Sequence, residues 1–263
     1  MKRKSLFVLT AAVVGSIFFA GCGGGGTSSV NDRLPDPYIW FFNAIPDNTG
    51  GVDFAIDDTV LSARLAYLGS SADVLQIDDV SETDGATDVS ITDGAAGGVE
   101  IDRINEVFTK DTDALLVAVG KQNNLGEDDK AAKILRMNIN RRVVPGKARL
   151  YILNAYTPSF GTKVRQISLQ TADPADPLST RRPQFQVQSV NYTTFESHNV
   201  LDMDPGTYLM QARDSDSDAV TVVASKTFTF EANKIYLAAV TGQVDSSDTN
   251  RRPRLDFITV PTR

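Results

Sequence analysis

Along much of the chain, apolar and polar residues alternate with a period of two. Val52, Phe54 and Ile56 alternate with Asp53, Ala55 and Asp57, and Val89 and Ile91 alternate with Ser90 and Thr92. Tyr208 and Met210 alternate with Leu209 and Gln211, and residues 220–223 are β-branched throughout. A period of two places one set of side chains on each face of a pleated strand. Clusters of turn residues at 46–51, 83–85, 94–98 and 214–218 separate these runs. Short strands at intervals of roughly 8–15 residues predict an all-β chain of antiparallel sandwiches. Only residues 58–67, through Thr59, Leu61, Arg64 and Leu65, also fit a turn of helix.

One internal run escapes the alternation. Residues 38–42 read Tyr-Ile-Trp-Phe-Phe, with no polar position in an apolar core. Tyr38, Trp40 and Phe42 fall on one face, as a platform for a sugar ring would. A strand buried on both faces reads the same way. The related run Leu150, Tyr151, Ile152 and Leu153 has the look of core. Core or packing between copies is therefore the preferred reading.

The chain reads as a doublet. Residues 39–44 resemble 150–155 at an offset of 111, including Asn43-Ala44 against Asn154-Ala155. Phe108-Thr109 resembles Phe228-Thr229 at an offset of 120. Ala118-Val119 resembles Ala239-Val240 at 121, and Ile134-Leu135 aligns with Arg254-Leu255 at 120. The added residues fit the breaker-rich stretch 171–180. The expected organisation is two tandem immunoglobulin-like domains, 36–142 and 147–261, with about seven strands each. Residues 143–146 give the joint little reach, so the copies are expected to touch.

The body also resembles a known family. Copy one offers Asn43-Ala44-Ile45-Pro46, the run Val52 to Asp57, Leu65-Ala66-Tyr67-Leu68-Gly69-Ser70, and the run Leu115 to Gly120. Copy two offers Asn154-Ala155-Tyr156-Thr157-Pro158, Val190-Asn191-Tyr192, Gly206-Thr207-Tyr208, and the run Tyr236 to Gly242. These segments resemble the domain of unknown function 4397 family. Copy two departs from it at Val164 to Ile167, and copy one at Thr87 to Ser90. The resemblance implies an immunoglobulin-like sandwich, often in tandem on exported bacterial proteins. The family has no established activity, so it supplies no catalytic residue.

The N-terminus predicts export. Lys2, Arg3 and Lys4 precede an apolar stretch at 6–20, broken only by Thr10, Gly15 and Ser16. A stretch of about 15 residues is too short for a spanning helix, which needs about 20, and fits a signal peptide. Phe19-Ala20-Gly21-Cys22 then looks like a bacterial lipobox, with Phe19 where that motif usually has Leu. The resemblance implies cleavage after residue 21 and acylation of Cys22, the chain's one cysteine. Two or three acyl chains anchor stably. Residues 22–35 form a Gly/Ser-rich tether. Gly23, rather than Asp, points to the outer membrane if the cell is Gram-negative.

Charge narrows the partners. Of 263 residues, 26 are Lys or Arg and 33 are Asp or Glu, a formal charge of −7. Loss of residues 1–21 removes three cations and brings it to −10. That argues against nucleic acid, which requires a basic stripe, and against a broad electrostatic grip on anionic headgroups. One His and one Cys exclude a Cys/His zinc site and any catalytic set needing a second of either. His198 beside Glu196 has no spaced nucleophile and reads as a surface loop residue. Asp214, Asp216 and Asp218 open like a calcium loop, but Ala219 and Ser225 stand where an EF-hand needs Gly and Glu. They read as a hairpin tip, and Asp245 and Asp248 as a turn. Asp78, Asp79, Glu82, Asp84 and Asp88 read as a solvated loop. The pairs Arg141-Arg142, Arg181-Arg182 and Arg251-Arg252 read as solubilising loop residues. No catalytic, cofactor-binding or metal residue is assigned; Cys22 is the single site. The sequence therefore predicts a non-catalytic, lipid-anchored envelope module, bound to the membrane through Cys22 and to an envelope protein or glycan. The alternative is a calcium- or glycan-binding adhesin, with an envelope hydrolase third.

Overall fold

The structure, a computed structural model, describes residues 35–261 apart from 72–74, 77–85, 96–97, 124–125, 158–165, 178–183, 195–198, 216–220 and 245. The leader, Cys22, His198, Asp78, Asp79, Glu82, Asp84, Asp216, Asp218, Asp245, Arg181 and Arg182 lie outside the described residues.

The all-β expectation holds. The first half contains β1 (Tyr38–Asn43), β2 (Val52–Ile56), β3 (Thr59–Leu65), β4 (Leu75–Gln76), β5 (Thr87–Asp93), β6 (Val99–Glu106), β7 (Asp113–Val119) and β8 (Lys133–Ile139). The second contains β9 (Ala148–Thr157), β10 (Ile167–Ala172), β11 (Gln186–Val190), β12 (Val200–Met203), β13 (Gly206–Asp214), β14 (Val222–Phe230), β15 (Ile235–Gln243) and β16 (Arg254–Thr259). Residues 59–65, where a helical turn also fitted, are strand. Asp57 and Asp58 both take positive φ, as a two-residue hairpin turn into β3 requires.

Four four-stranded sheets result, ordered β4-β1-β7-β8, β3-β2-β5-β6, β12-β9-β15-β16 and β11-β10-β13-β14. The two halves repeat one strand order. It refines the expectation in two ways. Among the described residues each half has eight strands rather than about seven, and one pair of strands in each is parallel: β1 with β7, and β9 with β15. The first two strands of each half fall in opposite sheets, whereas an immunoglobulin sandwich places them in one.

Pairing also corrects the repeat. Ile39 lies opposite Ala114 and Leu150 opposite Tyr236, so with 39 matched to 150 the seventh strands match at an offset of 122. The last strands match at 121, Ile134 with Leu255. A slip of one residue exchanges the faces of a strand. Ala118 packs inside its own sandwich, whereas Ala239 faces the other half; Val240 is the true counterpart of Ala118.

The cores form three layers. Ile39, Phe41, Phe54, Ile91 and Leu116 fill the first sandwich. Leu150, Ile152, Leu169, Met210 and Phe230 fill the second. Between them lies a third layer, where Trp40, Phe42, Leu115, Val117 and Met137 meet Tyr151, Leu153, Leu237 and Ala239. The central strands of each inner sheet, β1 with β7 and β9 with β15, are thus buried on both faces. That is why β1 and β7 show no polar alternation. The sugar-platform reading of 38–42 fails, because Trp40 is 2% exposed and Phe42 1%. The described residues form one compact unit.

The longer β10–β11 connection has a definite use. The Pro177 carbonyl accepts from Gln211 Nε2 at 3.1 Å and Arg213 Nη2 at 3.0 Å. The connection therefore covers polar side chains on the outer face of β13.

Candidate functional site

The C-terminal ends of β1, β7, β9 and β15 gather loops from both halves at one pole. A buried asparagine stands at the end of β1 and at the matching position near the end of β9. Asn43 donates from Nδ2 to the Leu65 carbonyl at 2.8 Å and accepts from Ile45 N at 2.9 Å. Asn154 does the same with the Val190 carbonyl at 3.1 Å and Tyr156 N at 3.4 Å. The repeated Asn-Ala signature is thus a loop clamp.

Glycine ends the seventh strand of each half for a steric reason. Gly120 and Gly242 both have positive φ, and a Cβ at either would lie 2.3 Å from the carbonyl oxygen of Ala131 or Arg252. Only glycine tolerates both conditions. Lys121 and Gln243 follow, at matching positions of the repeat.

These two residues line one open cavity of about 620 Å³ with Asp47, Gln122 and Asn123. Most of its wall is occupied in holding loops. Asp47 accepts from Gln122 N at 2.9 Å and Asn123 N at 2.8 Å. The Gln122 side chain accepts from Asn48 at 3.0 Å and donates to Asp93 at 2.6 Å. Lys121 is 5% exposed. Its amine, and the carboxamides of Asn123 and Gln243, have no hydrogen-bond partner among the described residues.

Polar contacts join the halves around this pole. Arg251 donates to the Pro46 carbonyl and pairs with Asp248. Tyr67 donates to Thr241 Oγ1 at 3.0 Å. Burial raises the Tyr67 hydroxyl above its usual range. Burial also pushes Tyr192, bonded to Thr157 at 3.1 Å, up to about 12. Burial alone would raise the Asp256 carboxyl, but hydrogen bonds from Arg254 and Lys226 outweigh it and lower it.

The opposite pole has a cavity of about 400 Å³ lined by Asp113, Asn138, Asn140, Arg141 and Arg142, among others. Arg141 is a clamp rather than a solubiliser. It pairs with Asp113, which is 1% exposed, donates to the Pro261 carbonyl at 2.8 Å, and lies 5.5 Å from the Trp40 ring centre. Arg142 is exposed as expected, 3.6 Å from Asp111. Arg251 corrects the same reading, because it ties the two halves together. Nothing local in sequence marks the clamps that Arg141 forms with Asp113 and Pro261 and Arg251 with Pro46, because these partners are distant along the chain.

The acidic candidates are largely engaged. Asp88 pairs with Arg103, and Asp248 caps its own turn by accepting from Asn250 N at 2.9 Å. Among the described residues no group of three or more His, Cys, Asp or Glu is placed to share a metal ion. Asp214 ends β13, and β13 and β14 form the expected antiparallel hairpin. Sequence reasoning missed Lys121; matching the repeat at 122 rather than 121 would have paired it with Gln243.

No protein-family model matches the chain, and no curated protein matches it. Solved structures do. A candidate cell adhesion protein from Bacteroides ovatus is 8% identical, with 87% of this chain and 96% of that one covered and a TM-score of 0.19. One from Parabacteroides distasonis is 9% identical, with 86% and 96% covered and a TM-score of 0.22. One from Bacteroides fragilis is 9% identical, with 87% and 98% covered and a TM-score of 0.20.

Proposed function

We propose that this chain is a non-catalytic binding or structural module of a bacterial envelope, anchored through acylated Cys22. In a Gram-negative cell the membrane is the outer one. The observation that carries the reading is the shared apolar layer between the two inner sheets. It fuses two sandwiches into one body, so loops from both halves build a composite polar pole. The anchor rests on the lipobox-like run 19–22 and the Gly/Ser tether behind it. The resemblance to the domain of unknown function 4397 family agrees with tandem sandwiches on an exported protein. The glycan-binding form of this reading draws support from the carboxamide-rich cavity. The test has two parts. Cys22→Ser is expected to move the protein from the membrane fraction to the soluble fraction; retention in the membrane contradicts the anchor. Photocrosslinking in the cell from exposed Asn123 is expected to capture an envelope component, and a clean absence of adducts contradicts the binding role.

A further inference from the structure

An ammonium group has three donors and no acceptor. A lysine can bury its apolar stem and present that group at a surface or cavity wall. The β7–β8 connection holds two buried lysines and treats them differently. Lys130, 1% exposed, pairs with Glu127 at 2.7 Å. Lys121 has no counter-charge among the described residues and lines the composite cavity. Asp47, the acid on the cavity wall, is engaged by two backbone N–H groups, and Asp93 beside it by Gln122 and Ala95 N. The unspent groups are therefore one cation and two carboxamides, Asn123 and Gln243. Carboxamides both donate and accept, which suits hydroxyl groups.

We propose that this cavity binds a carboxylate carried on a hydroxyl-rich ligand, an acidic sugar of the uronic type. Lys121 supplies the counter-charge, and Asn123 and Gln243 bond the flanking hydroxyls. The Asp47 carboxylate on the same wall disfavours a dianion, so carboxylate is preferred over phosphate. Because Lys121 and Gln243 occupy matching repeat positions, each half contributes the same backbone site and a different side chain. Such a ligand deepens the binding-module reading and rests on it.

The test uses the chain from residue 22 with Cys22→Ser, labelled with ¹⁵N. Sodium glucuronate, glucose and inorganic phosphate are titrated at constant ionic strength. Glucuronate is expected to shift the signals of Lys121, Asn123 and Gln243 saturably in the millimolar range, and glucose to leave them unmoved. Lys121→Met is expected to weaken glucuronate by about ten-fold or more, the weight of one charge-assisted hydrogen bond. The same variant is expected to melt no lower than its parent, because Met keeps the apolar stem packed and the amine it removes holds no other group of the described residues. Gln243→Ala, a change in the other half, is expected to weaken binding while leaving the fold intact. No saturable shift with glucuronate, or equal affinity in Lys121→Met, overturns the proposal. Phosphate binding more tightly than glucuronate overturns the carboxylate assignment. A silent cavity in a chain that still crosslinks to the envelope overturns the cavity proposal alone.

Discussion

The two halves share a strand order and solve the same local problems with different chemistry. At the start of the seventh strand the first half buries Asp113 against Arg141, while the second has Ile235 in the matching position. Where the sixth and eighth strands meet, Arg136 lies 4.9 Å from the Phe108 ring centre, bonds Glu106 at 2.8 Å, and bonds the Val107 carbonyl at 2.7 Å. Its counterpart by strand register is Phe257, which stacks on Phe228 at 4.7 Å and meets Phe230 edge-on at 5.2 Å. The backbone site needs a flat group over a buried ring. A guanidinium and a phenyl both fit, by cation–π attraction in one case and ring packing in the other.

The largest expected effect breaks the ionic solution. Arg141→Ala leaves a nearly buried carboxylate without its guanidinium and is expected to cost about 3–5 kcal/mol in denaturant unfolding. Arg142→Ala, its exposed neighbour, is expected to stay within about 0.5 kcal/mol. Replacing both partners, with Asp113→Ile as in the second half and Arg141→Met as an apolar chain of similar length, is expected to be neutral or stabilising. A loss equal to that of Arg141→Ala would show that the ion pair is not exchangeable for apolar packing.

Exchanging the edge residues sharpens the comparison. Phe257→Arg places a cation in an aromatic cluster with no acid matching Glu106, and a loss of about 2–3 kcal/mol is expected. Arg136→Phe keeps a ring over Phe108 and is expected to cost under about 1 kcal/mol. Equal losses would contradict the asymmetry.

The pH effect is expected to be largest at Tyr192, in the second half. Tyr192 titrates at about 12 in the folded chain against an ordinary 10.0. Unfolded chains therefore lose this proton first, and stability is expected to fall as pH rises from 10 towards 12. A tenfold difference in proton affinity corresponds to about 1.4 kcal/mol, so the total is at most about 2–3 kcal/mol. Tyr192→Phe is expected to flatten that alkaline limb in pH-resolved melting. An unchanged limb would assign the loss to other groups.

Sequence made much of the architecture legible, and the reasons are local. Alternation located β2, β5 and β13, and the unbroken apolar run at 38–42 marked a strand that touches two layers. The repeat was visible through Asn43 and Asn154, whose side chains clamp their own loops. Its register was not, because Ala118-Val119 and Ala239-Val240 look alike while facing different layers. The pole was hidden for a related reason. Lys121 and Gln243 meet only when two halves dock, as do Arg251 and Pro46, and no short-range pattern records such contacts. Arg141 and Arg142 are adjacent and chemically identical, and only the fold separates a clamp from a surface charge.

The shared layer is the central feature of this molecule, and calorimetry of the Cys22→Ser chain from residue 22 tests it most directly. Because Trp40, Phe42, Leu153 and Leu237 pack in one layer, the halves are expected to unfold together. The predicted result is one heat-absorption peak whose calorimetric and van't Hoff enthalpies agree. Two separable peaks, each with the enthalpy of one sandwich, would contradict it.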